Sequence, residues 1–315
     1  MKAPRSSRSY GDLNAHLIGI AMKEMVRRAI YVIRKERFTF EAKMKRGYSG
    51  EMDDIVTSAD KAAQKMYVKL LREQFPTFGI IAEEDGLHIP CTNPRFPDTT
   101  FTVDPLDGTK AMARRQSHGI GTMISLVCGN EVIAACVGDV MTQEVYYFRP
   151  ESKRVWRLSE FDRGEQLRIR PGQNAHDLHL LLRKRPEEHA STAARALARR
   201  FAKGGLFKDI EITGGSIGVS MARLWKGEVG AAIVGSPHET PWDANPVIGI
   251  TEKLGFVFCP LNNLLALDGV PAKRLPLREV THASSGYEFL VVHQTMVPQL
   301  MAWAAEHRDV LLAAA

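Results

Sequence analysis

The chain has 315 residues, 44% hydrophobic and 25% charged, which suits a globular protein with a large buried core. Its net charge of +6 and pI near 9.1 fit a small anionic partner, while the scattered basic residues argue against nucleic acid. No window reaches the apolar length of a membrane span, and Cys91, Cys128, Cys136 and Cys259, without C-x-x-C spacing, read as free thiols in a reducing cytoplasm.

The N-terminal stretch MKAPRSSRSYGDLNAHL is basic, but no apolar region follows it, which argues against a signal peptide. Leu13, Leu17, Ile20, Ala21 and Met25 recur at helical spacing and predict a first helix from about Leu13 to Lys35. KMKRGYSGEMDD reads as a charged loop, with Asp53 and Asp54 solvated in it. Ala59, Ala63, Met66, Tyr67 and Leu70 mark a second helix that ends at Phe75, because Pro76 disfavours helical geometry before it. FGIIAEED predicts a short buried strand ending in acids. GIGTMISLVCG, EVIAACVGDV and EVYYFRP predict further strands, with ESKRVWRL pairing back on the last. Beyond about residue 160 the pattern alternates. HLLL, VGAAIVG and YEFLVVH predict strands, while STAARALARRF, SIGVSMARLWKG, ANPVIGITEKLG and the segment from Gln299 to Leu312 predict helices. This mixture implies one layered α/β unit with two lobes, residues 1–160 and 161–315.

Acids stand where these strands and helices meet: Glu83 and Glu84 after one strand, Asp104 and Asp107 after another, and Asp243 at a helix start. Converging carboxylates repel unless a cation neutralises them, and oxygen ligands select hard ions such as Mg²⁺ or Mn²⁺. Pro105 fixes a bend that lets Asp104 and Asp107 face one ion pair, with the Leu106 carbonyl as an added ligand. Asp-Pro-x-Asp-Gly-Thr is a chance match on the order of 10⁻⁴ from average residue usage. Gly108 and Thr109 open a short helix, and Gly214, Gly215 and Ser216 open another, so both N-termini are candidate phosphate cradles. Thr57 and Asp60 precede the second helix, where Asp60 can accept a hydrogen bond from Thr109 and help orient an attacking water. His118 and His238 have no metal-ligand spacing, and the RALARR face reads as exposed and basic.

DIVTSAD, FPTFGIIAEED, DPLDGT and PWDAN, in that order, resemble the signature of the inositol monophosphatase superfamily, the Mg²⁺-dependent, lithium-sensitive phosphomonoesterases. The resemblance covers about Asp54 to Gly255 and implies a layered αβαβα sandwich, of the inositol monophosphatase and fructose-1,6-bisphosphatase type, in a homodimer. It implies a first metal on Glu83, Asp104 and the Leu106 carbonyl, and a second on Asp104, Asp107 and Asp243. A third, weaker ion near Glu83 would carry the attacking water. It also implies water activation by Thr109 and Asp60, and phosphate held by the Gly108 and Thr109 amides.

Two departures stand out. Ala82 replaces the family's glycine, which a negative φ would tolerate, and Asn245-Pro246 replaces small residues beside the substrate. Pro246 is expected in the first turn of its helix, where its missing N–H costs nothing. Lys110 is nearer to the 3′-phosphoadenosine 5′-phosphate branch, yet Val219 and Ser236 match neither that branch nor the inositol branch. Arg114 and Arg115 either meet a second phosphate or face solvent. The resemblance therefore implies hydrolysis of a small phosphate ester, with a 3′(2′),5′-bisphosphate nucleotidase as the alternative. A regulatory protein on the same fold, with transcription or ribosome-maturation partners, is the alternative of another class.

Overall fold

The computed structural model describes residues 9–10, 13–47, 51–170, 172–235, 240–266 and 288–312. Ser236 and His238, singled out above, lie outside the described residues.

A two-residue ladder of β1 (Ser9–Tyr10) and β2 (Leu13–Asn14) leads into α1 (Ala15–Glu36), which starts where Asn14 Oδ1 accepts from the His16 and Leu17 amides. The hairpin of β3 (Ala42–Lys45) and β4 (Asp54–Thr57) follows, then α2 (Ser58–Gln74), capped at Phe75 as Pro76 requires. The hairpin strand β3 is only four residues long and mostly exposed, and Lys43 and Lys45 make its sequence read as part of a charged loop.

One sheet takes β5 (Gly79–Ala82), β6 (His88–Ile89), β7 (Thr99–Asp107), β8 (Gly121–Cys128), β9 (Glu131–Asp139), β10 (Val145–Phe148), β11 (Trp156–Leu158) and β12 (Gly164–Gln166). Its order is β12-β11-β10-β9-β8-β7-β5-β6, antiparallel except between β5 and β7. Between β7 and β8 stands the five-residue α3 (Thr109–Ala113). The second sheet, in order β14-β13-β15-β17-β16, takes β13 (His179–Leu182), β14 (Asp209–Ile212), β15 (Ala231–Val234), β16 (Phe256–Pro260) and β17 (Phe289–His293). Its helices are α4 (Thr192–Leu197), α5 (Ile217–Trp225), α6 (Pro241–Lys253), α7 (Val297–Glu306) and α8 (Arg308–Leu312).

Alternation along the strands divides the core into three. Ile124 and Leu126 of β8 pack with Met22, Val26 and Tyr67 from α1 and α2. Met123 and Val127 face the other way, onto Met221 and Trp225 of α5, Ile248 and Ile250 of α6, and Val291 of the second sheet. Leu290 and Val292 of β17 turn to a third cluster with Leu197 of α4 and Leu300 and Trp303 of α7. The layers are therefore helix, sheet, helix, sheet, helix, which is the expected sandwich.

Three expectations are corrected. The helix expected through residues 191–201 stops at Leu197, because the chain folds back and Gly205 N–H reaches the Arg200 carbonyl at 3.1 Å. The C-terminal helix is broken at His307, whose ring stacks on Trp303 at 4.7 Å and whose Nδ1 meets the Trp303 carbonyl at 2.9 Å. Helix α6 begins at Pro241, so Pro246 sits inside it, past the first turn, and has no N–H of its own to give to the turn before it.

Candidate metal and phosphate site

The acids meet where the two sheets and the ends of α2, α3, α5 and α6 approach one another. In β7 the pairing with β8 shifts between Asp104 and Asp107, since Pro105 has no N–H to continue the ladder. The resulting bulge turns both acids to one side, and Leu106 N–H closes the bend on Asp104 Oδ1 at 3.0 Å. Asp243, in the first turn of α6, completes the group and accepts a hydrogen bond from the Thr240 hydroxyl. Carboxylate oxygens of Asp104, Asp107 and Asp243 lie within 4.8 Å of one another.

Burial pushes Asp104 well above the ordinary carboxyl range, and the charges of Glu83, Asp243 and Asp107 push the same way. Asp243 is raised to about 6, by burial first and then by Asp107. Such a group relaxes when a hard cation supplies the missing positive charge. Its all-carboxylate donor set, free of histidine and cysteine, fits Mg²⁺ or Mn²⁺.

Glu83 stands beside this group rather than in it. Lys45, on β3, places Nζ 2.9 Å from Glu83 Oε1, 2.8 Å from Glu84 Oε1 and 3.7 Å from Asp54 Oδ2. Asp54 therefore belongs to the ion cluster and is not the solvated loop acid expected. Burial raises Glu83 to about 8 against the opposing pull of Lys45, with Glu84 and Asp243 raising it further. Burial alone would lower Lys45, but Glu83 and Glu84 more than offset that, and it stays firmly charged. Gln64, one helical turn after Asp60, brackets the Glu84 backbone with bonds of 2.8 Å to its N–H and carbonyl. Neither Lys45 nor Gln64 was singled out in the sequence. The i, i+4 spacing from Asp60 is a signal for Gln64, whereas Lys45 carries none. A cavity of about 660 Å³ opens on this side, lined by Lys45, Lys61, Glu83, Glu84 and Trp242.

Asp60 and Thr109 come together as the sequence suggests. Thr109 Oγ1 lies 3.0 Å from Asp60 Oδ1 and 3.0 Å from the Leu106 carbonyl oxygen. The other Asp60 oxygen accepts from Thr57 N–H at 2.8 Å and from the Thr57 hydroxyl at 2.5 Å, which forms a capping box at the start of α2. Burial raises Asp60 to about 6, against its hydrogen bonds to Thr57.

Gly108 precedes α3 at φ 89°, and a Cβ there would lie 2.3 Å from the Gly119 carbonyl oxygen and 2.7 Å from Ser216 N. Only glycine fits that corner. The N-terminus of α5, expected to cradle phosphate, holds the carboxylate of Asp107. Ile217 and Gly218 N–H donate to it at 3.2 and 2.9 Å, and the Ser216 hydroxyl donates as well. The Ser216 hydroxyl and the Ile217 and Gly218 amides thus orient a carboxylate at that helix end. Ala82 lies in β5 without positive φ, as its replacement of glycine requires. Lys110, Arg114, Arg115 and His118 are exposed.

The sequence profile of the inositol monophosphatase family matches residues 14–295. Among solved structures, the extragenic suppressor protein suhB of Bartonella henselae superposes with a TM-score of 0.67 at 16% identity, over 91% of this chain and 98% of that one. An IMPase of Thermotoga maritima gives 0.64 at 18% identity, over 92% and 97%. An IMPase/NADP phosphatase complexed with NADP and Ca²⁺ gives 0.65 at 16%, over 93% and 97%. At these identities the likeness shows the fold alone. Proteins named Nus factor SuhB, in Salmonella typhimurium and Vibrio cholerae, are each 32% identical over 94 residues. That match spans 30% of this chain and 33% of those relatives, about a third of their length. Among the described residues no helix is long and apolar enough to cross a membrane.

Proposed function

Because the chain belongs to the inositol monophosphatase family, we propose that it is a Mg²⁺-dependent phosphomonoesterase acting on a small phosphate ester. The observation that carries this reading is the cluster of Asp104, Asp107 and Asp243, the first two buried, beside the Thr109–Asp60 pair. Those three acids, with Glu83 and the Leu106 carbonyl alongside, would hold the metal. A divalent cation there supplies Lewis acidity and a nucleophilic water at neutral pH.

The chain's own residues do the rest. Asp60, ionised above about pH 6, takes the Thr109 hydroxyl proton's hydrogen bond and leaves the Thr109 oxygen free to accept one from water. That pair aligns the water and draws on its proton as it attacks phosphorus. The Gly108 and Thr109 amides, at the start of α3, would hold the phosphate. Lys45 keeps Glu83 and Glu84 in place.

The test is phosphate release with Mg²⁺, with and without lithium, from inositol 1-phosphate, 3′-phosphoadenosine 5′-phosphate and fructose 1,6-bisphosphate. Release that Asp104→Asn abolishes supports the reading, and the preferred compound names the branch. No release from any of them by a protein that binds Mn²⁺ counts against it.

A second reading is supported by the relatives named Nus factor, 32% identical over 94 residues: a role in a transcription complex. Arg199 and Arg200 are exposed next to α4. Reversing both charges would then abolish binding to transcription proteins and leave hydrolysis intact.

A further inference from the structure

Arg183 follows directly on β13 and ends under the first turn of α5. Its Nη1 donates to the Ser216 carbonyl at 3.0 Å and to Ser220 Oγ at 2.9 Å, and its Nη2 donates to the Gly215 carbonyl at 2.6 Å. Among the described residues it has no ion-pair partner within 4.0 Å, yet the charges of Asp107 and Asp243 act on it. A guanidinium committed to neutral acceptors at a site's edge forgoes an ion pair, so the acceptors themselves matter.

The two carbonyls belong to consecutive peptides, and the N–H of the second meets an acid. The Gly215–Ser216 peptide sends its N–H to the Gly119 carbonyl at 2.8 Å, which joins the two sheets' loops. The Ser216–Ile217 peptide sends its N–H to Asp107 Oδ1 at 3.2 Å. A cation on a carbonyl oxygen polarises that peptide and strengthens the donor at its far end. Ser220 tightens the arrangement, since its hydroxyl donates to the same Ser216 carbonyl at 2.6 Å.

We propose that Arg183 is a positioning residue that acts through the Ser216–Ile217 peptide, fixing Asp107 in the orientation its carboxylate needs to take a divalent cation with Asp104 and Asp243. The inference rests on the metal-dependent reading above. A lysine would keep the charge and lose the planar fork that reaches two carbonyls and a hydroxyl at once.

The experiment is Mn²⁺ binding to the full chain without substrate, followed by electron paramagnetic resonance. It compares the wild type with Arg183→Lys and Arg183→Ala, with Arg200→Gln as a control far from the acids. Removing a partner that orients a ligand weakens metal binding about 10- to 100-fold. That loss is expected in Arg183→Ala, a smaller one in Arg183→Lys, and none in Arg200→Gln. Millimolar methylguanidinium is expected to restore binding to Arg183→Ala. Unchanged affinity in both Arg183 variants overturns the inference and leaves the metal reading standing. A loss that methylguanidinium leaves untouched, and that follows a fall in the metal-free unfolding midpoint, makes Arg183 a packing residue and overturns it too. A wild type that binds no Mn²⁺ overturns the metal reading, and this inference with it. Should Arg183→Ala fail to fold, Arg183→Lys decides.

Discussion

Asp60→Asn should stabilise the metal-free protein at neutral pH while disabling it. Asp60 is fully buried, and its carboxyl is raised from 3.8 to about 6. The folded state therefore binds this proton more tightly than the unfolded chain does. The stability so gained is complete below about pH 4 and is lost as pH rises through 6. At about 1.4 kcal/mol per pH unit, the ionised carboxylate costs about 3 kcal/mol above that range. Asparagine never ionises, so it escapes that cost. It gives up part of the capping box with Thr57, worth about 1 kcal/mol. The net is a gain of about 2 kcal/mol at pH 8 and a loss of about 1 kcal/mol at pH 4. In a chain of 315 residues the gain raises the unfolding temperature by about 3 °C. Turnover should fall about 10²- to 10⁴-fold, the usual worth of a positioned proton acceptor. Urea unfolding in EDTA between pH 4 and 8, for both proteins, reads the crossing directly. A variant less stable at every pH, or a difference flat with pH, would refute the reasoning.

Thr109→Val removes the hydroxyl between Asp60 and the Leu106 carbonyl. It should cut kcat about 100-fold with Mn²⁺ affinity unchanged, as steady-state kinetics and metal titration will show. Lys45→Met leaves Glu83 and Glu84 without their shared cation and should cost about 1–3 kcal/mol in EDTA at pH 7. Because Lys45 is held above its ordinary range, that stabilisation is fully present in the wild type at neutral pH. Added Mg²⁺ should narrow the gap in melting temperature. Gly108→Ala places a Cβ 2.3 Å from the Gly119 carbonyl oxygen at φ 89° and should destabilise by at least about 2 kcal/mol, read by urea unfolding and by lost turnover.

Much of the site was legible because its chemistry is local. Asp104, Pro105, Asp107 and Gly108 lie within one bulge and one turn, so residue type and order nearly dictate the shape. Thr57 and Asp60 form a capping box three residues apart, which any helix start with that spacing favours. Apolar runs marked β8, β9 and β10 for the same reason: both faces are buried, and the pattern shows it. Helix α4 and the break at His307 were misjudged, because periodicity does not register a chain folding back on its own carbonyls.

By itself, then, the sequence determined the layered class, the acids at the element ends and the family of chemistry they serve. Tertiary structure alone decided how those acids are held. Lys45 meets Glu83 across 38 residues of chain, Asp107 meets Gly218 across 111, and Arg183 meets Gly215 across 32. No spacing rule links such pairs. Lys45 is set by the β3–β4 hairpin packing on the end of β5, Asp107 by one sheet meeting the helix of the other, and Arg183 by neighbouring strand ends of the second sheet. Low dielectric turns those contacts into strong constraints.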